Sequence, residues 1–385
     1  MSIRFSVLLP TRNGGEFLDH SIRSILSNTR DDIELIVSSN ANTDSTDLIL
    51  SRWSSDKRLK VIYQKDILSV TDNWNATLNA AVGEYVLMMG DDDCLLPNYF
   101  DSMSMLIDKY EHPDCILYNA LSYIAPFSIG TDQVNSYYSP QHFRYGPEFK
   151  KPFILDERIR TGIVTDMFDF NVRIPLNMQT TLVRRDASTK ITGGLFQPPF
   201  PDHFALNAML LVCKTWLFTP ETMVIVGVSP KSFGHFVYSQ KQESGLSYLG
   251  ISPKFAGQLP GNELLNGMHI WLTMLIRAYG DRLQGIGINR SAYVRRQVYA
   301  WIMQVRLDAL SWRDCLKRLW NLDASDQMHL VSTVTDLNSW RRLFRIFQIN
   351  KKDEVGQQWQ GLKELESIKN ISEFAAWYQN TQQAH

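Results

Sequence analysis

The stretch Glu84 to Pro97, EYVLMMGDDDCLLP, decides how this chain is read. Five largely apolar residues, Tyr85 to Met89, run into Gly90 and then three consecutive aspartates, Asp91, Asp92 and Asp93. A short apolar run bounded by glycine and aspartate is the pattern of a buried strand with a turn at its end. Adjacent carboxylates repel one another, and burying them unpaired is costly. The run is therefore either a solvated acidic turn or a place where a divalent cation and a phosphorylated ligand supply the missing positive charge.

The segments on either side settle the fold class. Phe5 to Leu9 reads as a buried strand, and Leu18, Ile22, Ile25 and Leu26 then fall on one face of a helix. Strands are expected at 33–37, 59–63, 85–89 and 115–120. Helices are expected after the cap-rich NTDST stretch, over 72–82, and from Pro97 onward. Strands alternating with helices predict a mainly parallel sheet covered on both faces. Ligands of such sheets bind beyond the carboxyl ends of the strands, where the triple aspartate lies. Residues 121–175 read as long loops. A strand is expected within 179–187, a helix after Pro201, one or two strands over 216–229, and helices from about Asn262 to the end.

Bulk composition excludes several classes. The 385 residues are 44% hydrophobic and 21% charged with net charge −1, which lacks the basic footprint of a nucleic-acid binder. Cys94, Cys115, Cys213 and Cys315 have neither metal-site nor disulfide-framework spacing. The apolar run at Phe5–Leu9 is too short for a signal-peptide core, and no run of about 20 apolar residues would span a membrane. The expected compartment is the cytoplasm.

Three motifs in order, FSVLLPTRN, IELIVSSNANTDST and GEYVLMMGDDDCLLP, resemble the inverting glycosyltransferases of family 2, which have a GT-A fold. The resemblance implies an enzyme that moves a sugar from a nucleotide diphosphate to a hydroxyl of a glycan with the help of Mn²⁺ or Mg²⁺. Mg²⁺ takes oxygen ligands and is typically held by one or two carboxylates plus substrate phosphates. The same resemblance places Asp92 on the metal-binding aspartate, with Asp93 beside it. Asp91 takes the middle position and is available to the ribose, because Gly90 replaces the usual first aspartate. Pro10, Thr11 and Arg12 stand at the first strand end. Asn40 occupies the place of an aspartate that accepts from the uracil N3–H, so UDP is the first expected nucleotide and dTDP the second. Asn75 matches a family asparagine, but Trp74 stands where an arginine usually does, leaving Arg12 or Lys65 to supply the phosphate cation.

An inverting transfer needs a general base for the acceptor hydroxyl. The resemblance assigns that role to Asp202 in FPDHFALNAML; the alternative is a plain helix cap. The loop GVSPKSFGHF carries Lys231, Ser232, Gly234 and His235, which could fold over the diphosphate, with His235 completing the metal shell.

The expected organisation is a GT-A catalytic domain over 1–260, with 1–120 holding nucleotide and metal and 121–260 the acceptor. A helical region follows over 261–385. Between Arg290 and Arg345 ten Lys or Arg face five Asp and no Glu, with Trp301, Trp312, Trp320 and Trp340 interleaved. This region is a bundle packed on the catalytic domain, a homo-oligomer interface, or a surface for an anionic membrane that carries a lipid-linked acceptor. The competing functions are a sugar-1-phosphate nucleotidyltransferase, which should carry a more basic, glycine-rich loop than LLPTRNGGEF, and a non-catalytic carbohydrate-binding protein of the same fold.

Overall fold

Strand β1 (Phe5–Thr11) lies inside a large mixed sheet, and its alternating side chains feed two separate cores. The computed structural model describes residues 2–128, 135–138, 151–232, 263–306, 310–331, 340, 341, 344 and 363–383. Phe5, Val7 and Leu9 pack with α1 (Gly15–Leu26) and α4 (Tyr99–Lys109) through Leu18, Ile22, Ile25, Phe100, Met103 and Ile107. Leu8 points the other way, into a second core with Ile36, Val86 and Met88. Both faces are covered, which is why these strands read as continuous apolar runs.

Strand β1 pairs in parallel with β2 (Ile33–Asn40) and β4 (Tyr85–Met88), and β2 pairs in parallel with β3 (Leu59–Gln64). Helices α2 (Thr46–Arg52) and α3 (Val70–Ala80) complete this half. Beyond β4 the sheet departs from the mainly parallel expectation. Strand β9 (Thr181–Arg184) inserts antiparallel between β4 and β6 (Cys115–Ile124). The chain reaches β9 after a long excursion that contains β7 (Ser136–Tyr138), β8 (Phe153–Leu155) and α5 (Glu157–Phe168). Helix α5 stands where long loops are expected; its N-cap is Asp156, whose side chain accepts from Ile159 N.

A short α6 (Arg185–Ser188) and α7 (Pro201–Val212) follow, then a long strand, β10 (Trp216–Val228). β10 runs parallel to β6 with register shifts between Thr219 and Val224, and it pairs antiparallel with β5 (Cys94–Leu95), the two residues after the aspartates. That pairing turns the acidic run into a bridge between strands.

The C-terminal helices do not stand apart. α8 (Glu263–Leu283) and α9 (Arg290–Arg306) contribute Trp271, Leu272, Leu275, Tyr293 and Trp301 to the same core as Phe204, Leu206 and Met209 of α7. Burying each such side chain stabilises by about 1.5–3 kcal/mol, so one shared core crosses the expected boundary at 260. α10 (Trp312–Trp320) and α11 (Ala324–Val331) pack outside α9. The last segment is not all helix. β11 (Lys363–Glu364) adds to β7, and α12 (Ile371–Gln383) buries Ile371, Phe374 and Ala375 against Cys94, Leu96, Tyr123 and Ile225. Residues 363–383 thus complete a third core on the N-terminal half.

Candidate functional site

The carboxyl ends of β1, β2 and β4 and the exit of β10 converge on the acidic run. The Thr11 hydroxyl donates to Asp91 Oδ2 at 2.5 Å, fixing that carboxylate against the end of β1. Ser232, just past β10, donates its hydroxyl to Asp92 Oδ2. Burial, then the charge of Asp92, pushes the Asp91 carboxyl up to about 7, and burial also raises Asp92. Both carboxylates are therefore short of positive charge, and a cation would relieve them.

Asp93 is placed differently from the metal ligand expected. It is 1% exposed, and its oxygens accept from Gly90 N at 2.5 Å and Gly227 N at 2.9 Å. Its carboxylate ties the end of β4 to β10 rather than opening toward an ion. Gly227 is required there: a Cβ would lie 1.8 Å from the Asp92 carbonyl oxygen. Among the described residues no group of three or more His, Cys, Asp or Glu could hold a metal ion. Asp91 and Asp92 are at most a half-site, whose hard oxygen donors suit Mg²⁺ or Mn²⁺ once phosphate oxygens are added. His235 lies outside the described residues.

The loop after β10 reaches across to the first two strands. Lys231 Nζ donates to the Asn13 carbonyl and sits 3.4 Å from Asp44 Oδ2. It is a cation beside Asp91, whose acidity it increases. Arg12 is half-buried, with no hydrogen bond or ion pair among the described residues, and Pro10 pairs in register with Ser38. Two cations thus stand near the strand ends: Arg12, which the resemblance places at the first strand end, and Lys231, from the loop expected to fold over the diphosphate.

Two expected nucleotide contacts are engaged elsewhere. Asn40 is 3% exposed, and its amide makes a reciprocal pair with one peptide: Nδ2 donates to Leu68 O at 3.1 Å while Oδ1 accepts from Leu68 N at 2.8 Å. That double bond needs both a donor and an acceptor, which an aspartate lacks. Asn40 therefore pins the loop before α3. Asn75 Nδ2 donates to Phe196 O at 3.1 Å, beside a Trp74–Phe196 edge contact of 5.1 Å. Trp74 thus packs α3 on the loop before α7 instead of offering a phosphate cation.

Asp202 stands in the first turn of α7, but it is not the cap. The N-cap is Phe200, without a side-chain cap bond, and Asp202 Oδ1 accepts from His203 N at 2.9 Å. A first-turn position lowers a carboxylate's pKa through the helix dipole, yet burial outweighs this and raises Asp202. Burial lowers His203, which stays neutral beside it, and His203 Nδ1 has no hydrogen-bond partner among the described residues. His203 lies between Phe200, 5.0 Å away, and Trp271 of α8 at 6.1 Å. α8 approaches through Gly267, where a Cβ would fall 2.1 Å from the Phe200 ring. No sequence signal marks this contact, because the spacing between Phe200 and Gly267 follows no local period.

Residues 6–162 match the family model described as glycosyl transferase family 2. This stretch is family 2 glycosyltransferase sequence. The family 2 region carries β1 to β4, the acidic run and the excursion as far as α5. Over 119 residues the chain is 30% identical to an abequosyltransferase of Salmonella typhimurium, covering 28% of this chain and 36% of that protein. Over 108 residues it is 32% identical to a GalNAc(5)-diNAcBac-PP-undecaprenol β-1,3-glucosyltransferase of Campylobacter jejuni, covering 28% and 34%. The matched segment thus spans about a third of the length of these curated relatives. The crystal structure of S. aureus TarS 1-349 in complex with UDP-GlcNAc superposes with a TM-score of 0.52 at 13% identity, covering 95% of this chain and 98% of that one. The shared architecture is the GT-A fold. Among the described residues no helix is long and apolar enough to cross a membrane.

Proposed function

We propose that the chain is an inverting glycosyltransferase that uses a nucleoside diphosphate sugar and a divalent cation. One observation carries the reading. The carboxylates of Asp91, raised by burial and by the charge of Asp92, and of Asp92, raised by burial, meet the ends of β1 and β10 where the family 2 region ends its central strand. Asp92 and Asp91 would hold the cation, which neutralises the charge that builds on the departing diphosphate.

The protein's own groups account for the remaining steps. Lys231 and Arg12 supply positive charge for the phosphates, in place of the arginine that Trp74 displaces. Asp202 takes the proton from the acceptor hydroxyl as that oxygen attacks the anomeric carbon from the face opposite the leaving group. Its environment suits this, since burial makes it a better base than an exposed aspartate. The sugar leaves the diphosphate with inverted configuration. The acceptor is a glycan hydroxyl, lipid-linked in a bacterial surface polysaccharide; the undecaprenol-linked glycan in the name of the Campylobacter relative supports the lipid linkage.

The test is nucleotide release from a panel of UDP, dTDP and GDP sugars, with and without Mn²⁺. Cation-dependent release of one nucleotide is expected. NTP-dependent pyrophosphate release instead would overturn the reading in favour of a nucleotidyltransferase.

A further inference from the structure

The C-terminal helices split their tryptophans between two environments. Trp301 of α9 is 2% exposed, whereas Trp312, Leu316 and Trp320 of α10 are 54%, 60% and 84% exposed. The three exposed residues are spaced by four, so they form a stripe whose members turn by about 40° each around the axis. The inner face of α10 is already occupied: Cys315 is buried and Leu319 packs on the main core. Continuing around the helix away from that core, Arg313 and Lys317 border the stripe. Met328 and Val331 of α11 are exposed as well.

The charge around this face is net positive, although Asp314 and Asp323 are exposed beside it. Residues 290–306 and 310–331 hold seven Lys or Arg and three Asp. One of those aspartates, Asp326, is taken up by Arg290 through bonds of 2.7 and 2.6 Å. Exposed apolar side chains rimmed by charge mark an interaction surface. Indole rings and leucine beside long basic side chains suit the boundary between headgroups and acyl chains, where Arg and Lys extend toward phosphate while their stems lie against apolar surface.

We infer that α10 docks the protein on a lipid surface rich in anionic headgroups. A second copy of the chain is the weaker occupant, because a two-fold contact over the stripe would set Arg313 and Lys317 against their own counterparts. The inference goes beyond the proposed reaction and holds whether or not that reaction is correct.

The experiment is co-sedimentation of the full chain with vesicles of phosphatidylglycerol and phosphatidylcholine, against phosphatidylcholine alone. Pelleting is expected only with the anionic vesicles, fading as NaCl shortens the screening length from about 10 Å at 0.1 M to about 3 Å at 1 M. The combined Trp312→Ala, Leu316→Ala, Trp320→Ala variant should partition at least about tenfold more weakly. These side chains are exposed, so its circular dichroism should match the parent. Arg313→Glu with Lys317→Glu should lose the preference for anionic vesicles while keeping the apolar stripe. No pelleting at low salt, or equal pelleting of the triple variant, overturns the inference. A concentration-dependent dimer that the triple variant abolishes also overturns it, by showing that a second copy covers the stripe.

Discussion

The Ser232 hydroxyl donates to Asp92 Oδ2 although the two residues lie 140 positions apart. The bond closes the loop after β10 over the acidic run. Asp92→Asn keeps an amide oxygen for Ser232 and removes one of three adjacent negative charges. The thermal midpoint in metal-free buffer should hold or rise, while Mn²⁺-dependent UDP binding weakens at least about tenfold. Calorimetric titration of UDP with and without Mn²⁺, beside a melting curve, checks both halves. Unchanged affinity would place the cation elsewhere.

Asp202→Asn separates binding from chemistry. The amide cannot accept the acceptor's proton, so turnover should fall about 10²- to 10⁴-fold with donor affinity nearly unchanged. Single-turnover transfer and a donor titration read the two separately. Turnover near that of the parent would mean that the base lies elsewhere.

Burial raises the Asp202 carboxyl, and this sets the sign of two pH effects. The basic form is lost as pH falls through the raised value, so the acid limb of kcat/KM should have its midpoint above the usual aspartate value of about 3.9. Stability runs the other way. With the folded pKa above the unfolded one, the fold favours the protonated form, and its contribution is lost as pH rises from about 3.9 through the raised value. Asn at 202 should flatten that slope in a melting series over pH.

Asn40→Asp should destabilise the protein. A carboxylate still accepts from Leu68 N but sets an oxygen against Leu68 O, leaving that carbonyl without its donor. The expected loss is about 1–3 kcal/mol, read by urea unfolding. Equal stability would show that the loop before α3 does not depend on the reciprocal pair.

Gly267→Ala tests the contact between α8 and Phe200 at the start of α7. Its Cβ would enter the Phe200 ring, so α8 must move away from α7 at a cost of about 1–3 kcal/mol. Transfer should fall more than UDP affinity, because Asp202 stands on α7 while the acidic run does not. An equal fall in both would point to general unfolding.

The strands at 5–9, 33–37, 59–63 and 115–120 were legible because both faces of the sheet are covered, which leaves little besides apolar residues in them. The helix from Pro201 was equally clear from its prolines and apolar run. β5 was not legible. Two residues carry no period, and Cys94 and Leu95 are a strand only because β10 lies alongside. α5 was missed for a related reason: its capping Asp156 sits among prolines and aromatics that signal loops. Within the site, the acidic run announced itself through its charge. The work of Asn40, Asn75 and Asp93 did not, since each side chain bonds to a backbone group brought to it by the tertiary fold. The place of Lys231 depends likewise on where β10 returns.

His20 Nδ1 and Ser372 Oγ lie 2.8 Å apart across 352 positions, where α12 seats itself beside α1. On the ribosome this wall arrives after the strands that it covers. Cys94, Leu96, Tyr123 and Ile225 have all emerged well before Phe374, which covers them. At about 5–20 residues per second, the gap between Ile225 and Phe374 lasts roughly 7–30 s. Through that interval the nascent chain carries an open apolar surface immediately behind its aspartates. Chaperone occupancy during synthesis should therefore concentrate on chains stalled between these two points, and fall once residues past Phe374 are released.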